Sequence, residues 1–391
     1  MTGYPIDLIF KNGLSSIYLK FKTDLPMKTL FVFLFSLACI QLAAQTNHSS
    51  ANEVQSLLGE LREIHTPQGI DILEQIDLNG AKQWISIRGR DKANPVLLIL
   101  HGGPASPLLP VSWAFQTPWE EFFTVVHWDQ RGAGKNWVSS DTTLLAEQLS
   151  FQTLIQDAYL LVDHLRERLD KEKIFLMGYS YGSSLGVRMA SRIPQKLHAY
   201  LGVGQMSPGS PEKVIYDTVI QLAESSGNQP AIDELKSLAP YPNPDGSTPI
   251  RKMLAVRKWS RVFNGGWYGK PDMNLYFDLP LLSPDYSKAD VESLEQSTSW
   301  ITRKLLPRGA QAPFPTELQL PVIFMMGRHD LHTPFSSAAA YFETIQAPQK
   351  KLISFDYSGH MPFLEEQGKF LLELVETVRP YADQLSHEGG K

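Results

Sequence analysis

Short apolar runs alternate with stretches of helical periodicity along most of the chain. Residues 70–78 and 83–87 alternate apolar and polar positions on either side of Asn79-Gly80, which predicts an opening β-hairpin. Residues 96–100 (VLLIL) are continuously apolar and end in His-Gly-Gly-Pro, the pattern of a strand buried on both faces. Residues 122–128 repeat that form and end in Asp-Gln-Arg-Gly. Over residues 151–169, Leu154, Ala158, Leu161 and Leu165 recur at helical spacing, with charges on the other face. A further buried-type strand is predicted at 173–177, then a helix at 183–192 that stops before Pro194. Strands at 200–203, 322–326 and 352–355 complete the set. Strands alternating with helices predict an α/β fold, a mostly parallel central sheet flanked by helices.

Residues 204–320 break the rhythm. A strand–helix–strand unit takes on the order of 30 residues, and this interval is several times longer. It holds 13 of the 27 prolines, and prolines interrupt regular elements. An inserted, largely helical cap is expected over 206–318, between core segments 66–205 and 319–391.

The first 44 residues differ again. Residues 30–44 (LFVFLFSLACIQLAA) form an apolar run after Lys28 that ends in small residues. A membrane span needs about 20 apolar residues, so this shorter run fits a secretory signal over 27–44 and no membrane span. Residues 1–26 make an unusual prelude and are expected to be extraneous. Ser36-Leu37-Ala38-Cys39 also resembles a lipoprotein box, which would make Cys39 a lipid-anchored first residue. Either reading implies a periplasmic or secreted protein. Removing residues 1–44 takes away four lysines and two aspartates and moves the net charge from −5 to −7.

Composition narrows the classes of partner. The chain has 391 residues, 43% hydrophobic and 20% charged, which excludes wholesale disorder. Its acidic balance and lack of a long basic run argue against nucleic acid. One cysteine allows no internal disulfide and no cysteine cluster to hold zinc or an iron–sulfur centre.

The candidate chemistry lies at strand ends. Gly178-Tyr179-Ser180-Tyr181-Gly182 matches G-x-S-x-G between a predicted strand and a predicted helix, the setting of a nucleophile elbow. A serine needs a base to take its proton. His360, in Ser358-Gly359-His360-Met361-Pro362 after the last strand, is the candidate, and Asp330 after the strand at 322–326 would orient it. Asp356 competes for that role from beside its own strand. Gly103 of His-Gly-Gly-Pro and Tyr181, just after the serine, would supply the oxyanion N–H donors. The order Ser180, Asp330, His360 is that of an α/β-hydrolase.

With HGGP at 101–104, WDQRGAGKN at 128–136 and GYSYG at 178–182, the sequence resembles the α/β-hydrolase superfamily, and within it the prolyl aminopeptidase (proline iminopeptidase) group. GRHDLHTP (327–334) and SGHMP (358–362) resemble that group's acid and histidine loops. The resemblance implies an acyl-enzyme serine hydrolase that releases N-terminal residues such as proline from short peptides, without a cofactor. The group's elbow usually reads G-G-S-W-G, so Tyr179 and Tyr181 depart from it. Arg131 is expected to pair with a carboxylate. The group holds the substrate's amine with cap glutamates, for which Glu212, Glu224, Glu234 and Asp217 are the candidates. A carboxylesterase with the same triad is the alternative, its pocket lined by Trp259, Trp267 and Trp300. A catalytically silent binding protein would be expected to lack a triad member.

Overall fold

The computed structural model describes residues 52–209, 211–305 and 313–383. The expected extension, signal and Cys39 lie outside the described residues. Eight strands form one sheet: β1 (Ile70–Leu78), β2 (Ala81–Gly89), β3 (Val96–Leu100), β4 (Thr124–Trp128), β5 (Ile174–Tyr179), β6 (Leu197–Val203), β7 (Val322–Gly327) and β8 (Lys350–Phe355). Their spatial order is β1-β2-β4-β3-β5-β6-β7-β8. β2 runs antiparallel to both β1 and β4, and every other pairing is parallel. The β1–β2 turn has Asn79 at φ 49° and Gly80 at φ 75°, the paired positive values of a two-residue hairpin.

Alternate residues of β3 enter opposite layers. Val96, Leu98 and Leu100 join the apolar cluster on one face, and Leu97 and Ile99 join the other. A strand covered on both faces therefore reads as continuously apolar. Each fully buried aliphatic side chain contributes about 1.5–3 kcal/mol. The first layer includes α1 (Phe151–Arg168) and α2 (Tyr181–Arg192). Ser150 caps α1 by accepting from the Thr153 amide, and Leu154, Ala158, Leu161 and Leu165 form its buried stripe. The opposite layer centres on Trp119, stacked on Phe370 at 5.1 Å.

Between β6 and β7 lie α3 (Pro211–Ser225), α4 (Gln229–Ser237), α5 (Ile250–Val262) and α6 (Lys288–Leu305). α3, α4 and α5 share a separate small core of Ile215, Val219, Ala231, Leu235 and Val256, into which Leu331 packs. After β7 the chain continues through α7 (Phe335–Thr344). No helix among the described residues is long and apolar enough to cross a membrane.

The Asp-Gln-Arg-Gly segment after β4 is a structural junction. Arg131 meets buried Asp157 of α1 in a two-pronged ion pair, at 2.8 and 2.9 Å, as its expected carboxylate partner. Asp129 accepts the Lys135 amide at 2.9 Å and the phenol of Tyr286 from the insertion. Lys135 in turn pairs with Asp290 of α6 at 2.8 Å. Burial, against the opposing pull of these hydrogen bonds, pushes the Asp129 carboxyl up to about 7.

The sign of the consequence is definite. A carboxyl raised from about 4 in the unfolded chain to about 7 in the fold gives full stabilisation below pH 4 and loses it as pH rises towards 7. Buried His101 and half-buried His198, both lowered to about 4, act oppositely between pH 4 and 6.5. The Asp129→Asn variant isolates the carboxyl. Melting temperatures followed from pH 5 to 8 should show wild type losing stability relative to the variant as pH rises; parallel curves would contradict a raised carboxyl.

Candidate active site

β5 delivers Ser180 into the turn that starts α2. Ser180 holds φ 52° and ψ −121°, a backbone state rare for a residue with a side chain and therefore strained. Two glycines permit the turn. A Cβ on Gly178 would lie 2.6 Å from the Ser183 Cα, and one on Gly182 would lie 2.1 Å from the Leu100 carbonyl oxygen.

The histidine and acid arrive on the loops after β8 and β7. His360 Nε2 lies 2.9 Å from Ser180 Oγ, and His360 Nδ1 lies 2.8 Å from Asp330 Oδ2. Asp330 Oδ1 accepts the amides of His332 and Thr333 at 2.7 and 2.8 Å, and Oδ2 accepts the Thr333 hydroxyl at 2.7 Å. Burial raises the Asp330 carboxyl, but the charge and hydrogen bond of His360, with the Thr333 amide, outweigh it and hold the group below its ordinary value. Asp330 is thus an ionised acceptor for His360. Asp356, the competitor, is exposed and pairs with Arg328 at 3.3 Å.

The His-Gly-Gly-Pro loop after β3 passes against the serine, for a Cβ on Gly102 would lie 2.7 Å from Ser180 Cβ. Gly103 lies in this loop and Tyr181 opens α2, so both proposed donor positions flank Ser180. The first turn of a helix directs its N–H groups to outside acceptors. His101 anchors the loop. Its Nε2 accepts the Gln130 amide at 3.2 Å, its Nδ1 is 3.0 Å from the Gly102 carbonyl, and Gln130 Nε2 donates to the His101 carbonyl at 3.0 Å. Burial lowers His101 to about 4, so the imidazole is neutral, donating at Nδ1 and accepting at Nε2.

The insertion reaches all three loops. Thr298 of α6 donates to the Ala105 carbonyl at 2.6 Å, and Tyr276 hydrogen-bonds Ser106. The Gly265 carbonyl accepts the Leu331 amide, and the Gly266 carbonyl accepts the His360 amide, each at 3.0 Å. Glu365 ties this strap of the insertion, residues 265–268, to the histidine loop, with Oε2 accepting the amides of Tyr268 at 2.6 Å and Gly359 at 2.8 Å, and Oε1 accepting the Met361 amide at 2.9 Å. Glu366 accepts the Tyr357 amide and the Ser358 hydroxyl at 2.9 and 2.8 Å. Among the described residues, no group of three or more His, Cys, Asp or Glu side chains is arranged to hold a metal ion.

A nucleophile elbow, a hydrogen-bonded Ser–His–Asp line and an eight-stranded sheet in this order point to one fold family. The family described as alpha/beta hydrolase fold matches residues 95–367. The chain belongs to the alpha/beta hydrolases. It is 28% identical over 321 residues to "Probable aminopeptidase YbaC" of Bacillus subtilis (strain 168), covering 80% of this chain and 98% of that protein. It is 24% identical over 280 residues to a proline iminopeptidase of Lactobacillus delbrueckii subsp. lactis, covering 70% and 86%. The crystal structure of a Mycobacterium smegmatis proline iminopeptidase matches with a TM-score of 0.56 at 16% identity, over 79% of this chain and 98% of that one.

Within this serine hydrolase the acidic cap candidates have different surroundings. Glu224 pairs with Lys236 at 2.9 Å and Asp217 with Lys213 on exposed surface, and half-buried Glu234 pairs with Lys258. Glu212 is buried and held by Arg257 and Tyr241. Trp259 packs on the insertion's own core, Trp300 lies against Trp137 at 5.6 Å, and Trp267 packs on the sheet layer around Trp119. Thr333 and Glu365 were not singled out in the sequence. Thr333 had a local signal, since an aspartate followed by amides two and three residues on forms a compact side-chain turn. Glu365 had none, because the donor that ties it to the insertion, the Tyr268 amide, lies far away in the sequence.

Glu365→Ala removes the acceptor for three backbone amides around His360. Covalent labelling of Ser180 by a fluorophosphonate should slow by about 10- to 100-fold, the scale of small misplacements at a reacting centre. Glu224→Ala should label at the wild-type rate. Equal rates for both variants would show that the clamp does not position His360.

Proposed function

We propose that this alpha/beta hydrolase is an aminopeptidase acting through an acyl-enzyme, releasing N-terminal residues such as proline from short peptides. The observation that carries the chemistry is the unbroken relay from Ser180 through His360 to Asp330, at 2.9 and 2.8 Å. His360 Nε2 takes the hydroxyl proton as Ser180 Oγ attacks the carbonyl carbon. The Gly103 and Tyr181 amides stabilise the oxyanion. Collapse expels the peptide's amine, which takes the proton from His360, and leaves the acyl group on Ser180. Water then attacks, giving its proton to His360, and the free residue departs as Ser180 recovers its hydrogen.

The similarity to proteins named aminopeptidase and proline iminopeptidase supports the peptide substrate. A second reading, a carboxylesterase with the same triad, is favoured by one observation. The acidic side chains weighed as amine holders already have cationic partners. We read residues 206–318 as the cap and residues 27–44 as an export signal, the latter testable by N-terminal sequencing of the mature protein.

Ser180→Ala should lower turnover by roughly 10⁵- to 10⁶-fold on every substrate, as loss of a triad serine does elsewhere. With wild type, faster cleavage of prolyl-2-naphthylamide than of its N-acetylated form identifies an aminopeptidase. Cleavage of p-nitrophenyl esters alone identifies the esterase. Undiminished activity in Ser180→Ala would remove the mechanism altogether.

A further inference from the structure

We infer that Arg261 forms an anion subsite on the leaving-group side of Ser180, suited to the C-terminal carboxylate of a short peptide. This rests on the aminopeptidase reading for its substrate and on independent geometry for its location. Arg257 and Arg261 stand one turn apart on α5 and so share a face of that helix. That face looks onto the acid loop. Arg257 Nη1 donates to the carbonyls of Leu331 and His332 at 2.9 and 3.1 Å, and Ser260 Oγ donates to the Leu331 carbonyl at 3.2 Å.

The two guanidinium groups differ in their company. Arg257 is neutralised by Glu212. Arg261 is half-buried, its Nε donates to the Arg257 carbonyl at 3.2 Å, and no carboxylate pairs with it among the described residues. Burial, followed by the positive charge of Arg257, lowers its proton affinity. A half-buried cation beside a like charge is costly until an anion joins it. A guanidinium presents a planar donor fork that matches a carboxylate.

His332, whose carbonyl accepts Arg257 Nη1, links this helix face to the reacting centre. Its ring stacks on His360 with centroids 4.9 Å apart and 19° between planes. Its Nε2 is buried without a hydrogen-bond partner. Burial, then the charges of His360 and Arg257 and, among weaker contributions, of Arg261, hold this imidazole neutral. His360 delivers the proton to the departing amine, so the departing residue lies on the His360 side of Ser180. In a dipeptide that residue carries the terminal carboxylate, two bonds from the amine nitrogen. Glu212 cannot take this role while Arg257 and Tyr241 occupy its two oxygens.

The test uses prolylglycine and prolylglycinamide, which differ only in the terminal charge, and the inert Ser180→Ala protein. Calorimetry should give a dissociation constant about ten-fold or more lower for the acid than for the amide, the scale of one charge-assisted pair. The added Arg261→Gln change should abolish that preference, and Arg261→Lys should keep part of it. Equal affinities in Ser180→Ala, a preference that survives Arg261→Gln, or binding of neither peptide would overturn the subsite. Should Arg261→Gln not fold, the Arg261→Lys protein and the acid–amide ratio in Ser180→Ala still decide. Carboxylate-dependent binding without hydrolysis by the native enzyme would reject the aminopeptidase and leave the subsite standing. Hydrolysis of both peptides with equal affinities would do the reverse.

Discussion

The hydrogen bond of 2.9 Å between His360 Nε2 and Ser180 Oγ joins residues 180 positions apart, and the rest of the structure makes that distance possible. Neither partner can hold it alone. Ser180 is fixed by a strained turn that only the flanking glycines allow, and the Val203 carbonyl accepts the Ser180 amide at 3.0 Å. His360 sits on a loop, and loops owe their position to what holds them. The parallel pairing of β5, β6, β7 and β8 brings the carboxyl ends of four strands to one edge, and the serine, acid and histidine loops all start there.

Placement at an edge fixes position to several ångströms, whereas proton transfer needs a few tenths. The remaining precision comes from backbone hydrogen bonds. The carbonyls of Gly265 and Gly266 take one amide each from the acid and histidine loops, so a two-residue segment of the insertion sets the spacing of Asp330 and His360. Glu365 then binds the strap to the histidine loop. The insertion is therefore part of the framework that aligns the relay. Its own small core keeps it rigid enough for that, and Leu331, next to Asp330, packs into it.

All eight strands were legible in the sequence because each reports its own burial. β1 and β3 fall where the pattern puts them. β5 and β6 are longer than predicted, since Gly178, Tyr179 and the residues around Leu197 pair with neighbours without adding to an apolar run. The relay was legible for a related reason. Ser180, Asp330 and His360 each follow the end of a strand, and the elbow's glycines are local necessities. Electrostatic partners were not legible. Glu212, Glu224 and Glu234 look alike in sequence, yet the first is buried against Arg257 and the other two meet lysines nearer the surface. That distinction arises only when helices pack.

The same point governs the ionisable groups around the reacting centre. Desolvation acts on Asp330, His101 and His332 alike, yet the outcomes diverge. Asp330 keeps its charge because three donors of the next turn and His360 compensate its burial. His101 and His332, buried without an anion of their own, stay neutral. Asp330 is thereby the carboxylate that faces the His360 ring directly, while the imidazoles of His101 and His332 stay neutral. A neutral neighbour stacked on His360 sets no like charge against that ring.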